Sequence, residues 1–170
     1  TLWSYSSGSS NIIQGYLRSV IGNDAKYHSW PRTALFNRIG MRSAVWEVDA
    51  SGTFVGSSYL YATMRDYARY GLLYLHDGNW LGEQMLPEGW VKFTSTPAEG
   101  SNGEYGALFW LNDSGEFTDK PDDLFYCTGY DGQRIFIIPS KSLVIVRTGC
   151  TPRGVINWQA FLNDILASLN

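Results

Sequence analysis

The residues of this chain that could do chemistry fall in three places. Tyr5-Ser6-Ser7 puts a phenol and two hydroxyls just ahead of an apolar stretch with helical spacing. Cys127-Thr128-Gly129 runs into Tyr130-Asp131-Gly132 and then into a β-branched stretch. There Thr128 offers a hydroxyl, and Gly129 and Gly132 permit close backbone approach. Tyr59 and Tyr61 stand before a second helical pattern, where either could line a cleft. Together these groups suit acyl transfer, which needs a nucleophile, a base within hydrogen-bond reach and donors aimed at the developing oxyanion. A phenol titrates near ~10, so Tyr5 works as a base only beside a cation. On the residues alone each place also has a plain reading. Tyr5 fits a packed loop tyrosine, Tyr59 fits ordinary packing, and Thr128-Gly129 fits a β-bulge beside a hairpin.

Other chemistries are poorly served. No serine has a lysine three places later, and there is no Gly-x-Ser-x-Gly elbow. Cys127 has no histidine or cation nearby in sequence to activate a thiol. His28 and His76 are the only histidines, and no Cys/His cluster has metal-ligand spacing, so neither metal nor cofactor is expected. Two cysteines are too few for a disulfide scaffold, and spacing leaves a Cys127–Cys150 bridge open. The 13 basic and 16 acidic side chains give a net charge of -3 with neither sign blocked together. That disfavours nucleic acid and a polybasic anchor. No apolar run reaches transmembrane length. The sequence opens at Thr1 with no initiator Met and no visible leader, which leaves periplasm and cytoplasm equally open.

The elements that would position these residues follow from periodicity. Thr1 to Gly8 reads as a loop, with Ser9 or Ser10 capping a helix over Ile12, Ile13, Tyr16, Leu17, Val20 and Ile21. Gly22-Asn23 ends it. A short helix is expected from Pro31 to Asn37, with Pro31 in its first turn. Ala44 to Val48 alternates like a strand, and Ser51-Gly52 turns it. Thr63 with Asp66 fits a capping box, ahead of an apolar stripe of Met64, Tyr67, Ala68, Leu72 and Leu75. Trp80 to Pro87 reads as a loop, and Pro87 opens a helix through Trp90 and Phe93. Tyr105 to Leu111 reads as a strand, and Asn112 to Asp123 as an exposed acidic loop. Gln133 to Ile138 and Leu143 to Arg147 form a hairpin across Pro139-Ser140-Lys141-Ser142. Thr151, with Pro152 behind it, is expected to cap a last helix that buries Val155, Trp158, Leu162, Ile165, Leu166 and Leu169. The result is an α+β chain with a mostly helical part over 1–104, then antiparallel strands and a C-terminal helix over 105–170.

Three stretches together resemble the class C beta-lactamase-related serine hydrolases, which include penicillin-binding proteins and esterases. Trp3 to Ile13 looks like that family's second motif. Gly56 to Gly71 resembles its Thr-x-x-Asp-x-Ala-x-x-Gly helix entry. Cys127 to Gln133, with the hairpin behind it, is similar to the third motif. The resemblance implies a partial beta-lactamase/transpeptidase-like fold. It makes Tyr5 the tyrosine that activates a nucleophilic serine and relays its proton. Ser7, Thr128 and Gly129 become substrate-binding positions, and Cys127 falls where relatives carry Lys or His. The family's Ser-x-x-Lys is not in these residues. The expected activity is therefore that of the complete protein, on an ester, amide or β-lactam, with a missing N-terminal segment as partner and this chain inactive alone. Cys127 favours esters or small amides over β-lactams. The alternative is a silent penicillin-binding or cell-wall-recognition module, or an inactive truncated fragment.

Overall fold

The computed structural model describes residues 2–112, 115 and 117–169. It divides into two compact units, Ser4–Tyr70 and Gly71–Asn170 with Thr1–Trp3.

In the first unit, helix α1 (Ser7–Ile21) begins earlier than the sequence suggests. Ser6, not Ser9 or Ser10, is the cap, because it is already extended (φ -147°) and its Oγ accepts from Gly8 N at 3.1 Å. Gly22 closes the helix in the left-handed region, as its position after the apolar run predicts. None of the α1 residues is buried, and Ile12, Ile13, Tyr16 and Val20 face outward. Helix α2 (Asp24–Pro31) follows, with the Asn23 side chain accepting from Lys26 N. Pro31 ends this helix and also stands as the N-cap of the expected next one, which forms over Arg32–Phe36. Pro31 has no N–H to donate back, and the chain continues as a wider π turn over Arg32–Phe36. The i→i−5 bonds from Asn37 N to Arg32 O (2.9 Å) and from Met41 N to Phe36 O (2.8 Å) mark it.

The expected strand is β1 (Val45–Trp46), paired antiparallel with β2 (Leu60–Tyr61). Tyr27, Phe36, Ile39, Met41, Ala44 and Phe54 are buried around it. The Tyr27 hydroxyl keeps a full set of partners, accepting from Phe54 N at 2.9 Å and donating to Gln14 Oε1 at 3.1 Å. Trp46 stacks on Phe54 with ring centroids 4.9 Å apart. Arg18 at the end of α1 clamps Asp24 with two bonds of 2.9 Å and reaches the Ser51 carbonyl at 2.6 Å.

Helix α3 (Met64–Leu75) is capped by Thr63, whose Oγ1 accepts from Asp66 N at 3.3 Å. The capping box is half formed, because the Asp66 carboxylate turns to Ser43 instead of back to Thr63. The buried stripe is also rotated from the expected one. Met64 is exposed, while Asp66, Gly71, Leu73 and Tyr74 are buried. Gly71 sits on this face because a Cβ there would stand 2.6 Å from Val144 Cγ1.

In the second unit, the expected loop after Trp80 is a hairpin of β3 (Asn79–Trp80) and β4 (Glu83–Gln84). Leu81 (φ 52°) and Gly82 (φ 92°) make its turn left-handed, which suits the strand twist. Helix α4 (Trp90–Thr94) starts three residues past Pro87. The main sheet has the order β5-β6-β7-β8, all antiparallel. Its strands are β5 (Trp110–Leu111), β6 (Phe125–Gly129), β7 (Gln133–Ile138) and β8 (Leu143–Arg147). β5 is shorter than the expected Tyr105–Leu111 strand, because Leu108 (φ 68°) folds the chain back so that Tyr105 bridges Trp110.

Phe136 lies between Tyr126 and Ile145 in the sheet register, and all three pack with Leu162 of α5 (Trp158–Ala167). The opposite face buries Phe125 and Ile137, with Tyr74, Phe109 and Phe125 in ring contact. Coverage of both faces explains why β7 reads as a continuous apolar run. The cap of helix α5 lies six residues after the expected one. The Thr151 hydroxyl is occupied by Arg147 Nη2 at 2.6 Å, Pro152 lies in a turn, and Asn157 caps by accepting from Ala160 N. Val155 and Leu169 consequently stay exposed. In the segment read as an exposed acidic loop, residues 113, 114 and 116 lie outside the described ones. Phe117 is nevertheless buried, its backbone held by both amide atoms of Asn112.

Candidate active-site residues

The first unit carries Tyr5, Ser7 and Tyr59. Tyr5 is the residue before the cap and is 56% exposed. Ser7 is the first helical residue of α1 and is exposed, so its hydroxyl and the first-turn amides share one helix end. Gly8 lets the cap close, since a Cβ there would meet Ser6 Oγ at 3.2 Å. Tyr59 is half exposed and adopts φ 63°, a conformation that costs an aromatic residue energy. It is held there from both sides. Its carbonyl accepts from Glu47 N at 3.1 Å, and Tyr67 Oη donates to the next carbonyl, of Leu60, at 2.5 Å. Gly56 presses this segment onto α1, because a Cβ at that position would lie 2.5 Å from Ser10 O. Nothing in the sequence marks Gly56 as a contact glycine apart from its place before Tyr59.

The second unit carries Cys127, Thr128 and Gly129 at the end of β6. Burial falls along this strand, from fully buried Phe125 and Tyr126 through half-buried Cys127 to exposed Thr128 and Gly129. No bulge is present. Gly129 pairs with Gln133 and Thr128 with Arg134, across a turn in which Asp131 (φ 54°) and Gly132 (φ 83°) are left-handed. Gly129 is required by the tightness of this closure, since a Cβ would stand 2.8 Å from Gln133 Cβ. Tyr130 projects almost fully into solvent, and Trp110 packs against Tyr105.

Both cysteines are free thiols. Burial pushes the Cys127 thiol up to about 12, so it is neutral in the physiological range and supplies no charge to the strand end. Cys150 is exposed, and its thiol is also raised, first by donating a hydrogen bond to the Asp131 carboxylate at 3.4 Å and then by that negative charge. A nucleophilic thiolate is therefore disfavoured at both positions. His28 accepts a structural place, its Nε2 lying 2.7 Å from Gly52 O and its ring against Tyr27 and Phe54. Among the described residues no three His, Cys, Asp or Glu side chains are grouped to hold a metal ion. Among them, too, no helix is long and apolar enough to cross a membrane.

The sequence assigns no supporting role at the candidate residues to Gly56, Ser43, Gln133, Arg147 or Thr151, although it marks Gly56 and Gln133 as bounds of the resembling stretches and Thr151 as a helix cap. Their signal was weak, because each acts through contacts between segments distant in sequence.

Comparison with known proteins matches the sequence and fold of this chain to a family. A protein from Bacillus anthracis, provisionally described as a 6-aminohexanoate-dimer hydrolase, superposes with a TM-score of 0.82 at 26% identity. The match covers 99% of this chain and 45% of that one, so the chain spans less than half of that relative's length. A beta-lactamase from Mycobacterium bovis shares the fold with a TM-score of 0.78 at 16% identity, over 99% of this chain and 65% of that one. No curated protein matches the chain. The Beta-lactamase family model matches residues 1–148, and the chain belongs to that family of hydrolase fold.

Proposed function

We propose that this chain contributes residues to a serine hydrolase that transfers an acyl group from an ester or amide. Tyr5 is the proton relay, with Ser7 beside it at the helix start. Cys127, Thr128, Gly129 and Tyr59 bind substrate, with the Thr128 hydroxyl directed to a carbonyl and a backbone amide at the strand end serving the oxyanion. The observation that carries this reading is the end of β6. A strand buried at Phe125 and Tyr126 extends two residues past the core and exposes a hydroxyl beside a glycine. The serine nucleophile comes from outside these residues, which contain no Ser-x-x-Lys. The chain alone is then inactive.

The substrate follows from Cys127. A neutral, protonated thiol stands where a cation would favour a carboxylate, so uncharged esters and small amides suit the site better than β-lactams. The Bacillus neighbour's description as a 6-aminohexanoate-dimer hydrolase supports the amide arm of this reading. The same missing charge and missing nucleophile favour a second reading, a silent penicillin-binding or cell-wall-recognition module.

The test uses the full-length protein with a fluorophosphonate, short p-nitrophenyl esters and a linear aminohexanoate amide. Acylation and turnover are expected. Tyr5→Phe should lower kcat by roughly 100-fold or more, the usual size of a proton-transfer contribution. No labelling and no turnover would exclude the hydrolase. Saturable binding of peptidoglycan fragments without turnover would establish the silent module in its place.

A further inference from the structure

The end of β6 has little core beneath it, yet its turn is held by bonds from a distant segment. Arg147, the last residue of β8, donates from Nη1 to Gly132 O at 2.7 Å and to Asp131 O at 3.4 Å. Its Nη2 donates to Thr151 Oγ1 at 2.6 Å, and Thr151 N donates to Asp131 O at 3.0 Å. Gln133 and Gly149 exchange two more bonds, with Gly149 N donating to Gln133 Oε1 at 3.0 Å and Gln133 Nε2 donating to Gly149 O. The guanidinium also lies 5.9 Å from the Trp158 ring centroid.

Two glycines make room for this cation. A Cβ at Gly132 would stand 2.6 Å from Arg147 Nη1, and one at Gly149 would stand 3.0 Å from Nη2. A planar fork serves two carbonyls and a hydroxyl together, which a lysine ammonium cannot do in the same geometry. Arg147 sits on the strand opposite Arg134, whose other neighbour is Thr128. The bonds therefore fix the turn that closes directly onto Thr128 and Gly129.

We propose that Arg147 is a positioning residue for substrate turnover: by gripping the Tyr130–Gly132 turn it sets the orientation of Thr128 and the Gly129 backbone. This rests on the hydrolase reading above. The Gly129 backbone serves the transition state and Thr128 serves substrate binding as well, so loss of Arg147 lowers kcat more than it raises KM.

The experiment uses the full-length protein carrying Arg147→Ala, Arg147→Lys or Thr151→Val. For Arg147→Ala, kcat on a p-nitrophenyl ester should fall roughly 10- to 100-fold, as expected when a charged hydrogen-bonding group is removed, with KM within about threefold. Added methylguanidine should restore part of kcat, and Arg147→Lys should retain more than Arg147→Ala. Deuterium exchange of the peptide covering residues 125–134 should quicken by about tenfold or more as the turn opens. Thr151→Val removes one acceptor and should give a smaller loss in both, which serves if Arg147→Ala does not fold. Unchanged kcat in a folded variant, or unchanged exchange at 125–134, overturns the proposal. If the unaltered protein never turns over an ester or amide, the hydrolase reading fails and so does the role in turnover. The exchange arm then still decides whether Arg147 holds the turn.

Discussion

Replacing Asp66 by alanine removes the hub that joins the start of α3 to the segment before β1. Its carboxylate accepts from Ser43 N at 2.8 Å, from Ser43 Oγ at 2.6 Å and from Arg69 Nη1 at 2.5 Å, while Asp66 itself is 4% exposed. Arg69 keeps much of its side chain in water and can rehydrate, so its bond adds little. The cost comes from the two Ser43 bonds to a charged acceptor. Ser43 reaches the surface and recovers part of that loss, which places the total at about 2–3 kcal/mol. For a chain of this size that lowers the thermal midpoint by roughly 4–12 °C. Asp66→Asn keeps an acceptor and should cost about half as much, and Arg69→Met less than about 1 kcal/mol. Burial pushes the Asp66 carboxyl up, but the Ser43 bonds and the Arg69 charge outweigh it and hold it below the ordinary carboxylate value. A lowered folded value means that this stabilisation is complete above pH ~4 and fades as pH falls through the folded value. Circular-dichroism melts of the three variants between pH 7 and pH 2 measure all of this. A midpoint within about 2 °C of the parent for Asp66→Ala, or equal losses for Arg69→Met and Asp66→Ala, would refute the assignment of the stabilisation to Ser43.

Gly56→Ala sets a Cβ 2.5 Å from Ser10 O and 2.9 Å from Ser10 C. Because helix backbone cannot yield there, urea unfolding should show a loss of about 1–3 kcal/mol. Gly15→Ala is the matched control, with nothing within 4 Å, and should be neutral or stabilising by about 0.5–1 kcal/mol as a glycine leaves a helix interior. Iodoacetamide at pH 8 should label Cys150 slowly and leave Cys127 untouched in the native chain, with both labelled after denaturation, as read by intact mass. Asp131→Asn should speed the Cys150 reaction by withdrawing the charge that raises its thiol. Phe136→Ala should cost about 3–5 kcal/mol by chemical denaturation, since Phe136 is wholly buried among Phe117, Tyr126, Trp158 and Phe161.

What the sequence disclosed and what it hid divide along physical lines. The Gln133–Ile138 and Leu143–Arg147 strands and their Pro139-led turn were legible to the residue, because β-branched runs and turn residues are local signals. So was the end of α1 at Gly22, where only the local backbone decides. The caps were less legible. Ser6, Ser9 and Ser10 are equivalent in composition, and only the extended backbone at Ser6 separates them. Thr151 followed by Pro152 is a sound helix start by local rules, yet Arg147 takes its hydroxyl from another strand. The α3 stripe turned for a similar reason. Gly71 faces Val144 and Ile135, so the face that packs best is the one with the smallest residue, not the one with the most leucines. At the candidate site, residue types pointed to the strand end, whereas its support at Gly132, Arg147 and Gly149 comes from contacts that no local pattern records.

The falling burial along β6 also separates core positions from candidate-site positions within one strand. Phe125 and Tyr126 are core residues, and substitutions there should act through unfolding alone. Thr128 and Gly129 lie beyond the core, so a change at Thr128 removes a hydroxyl while burying or exposing almost no apolar area. Cys127 stands between them and is the informative position. Its thiol is desolvated enough to stay protonated but is not wholly enclosed. A lysine placed there would carry its charge into the same desolvating surroundings, and burial would pull its own titration down. Whether such a cation stayed charged depends on anionic neighbours. The Asp131 carboxylate, four residues on, is already engaged by Cys150. A neutral side chain at 127 therefore avoids the cost of carrying a charge into this half-buried strand position.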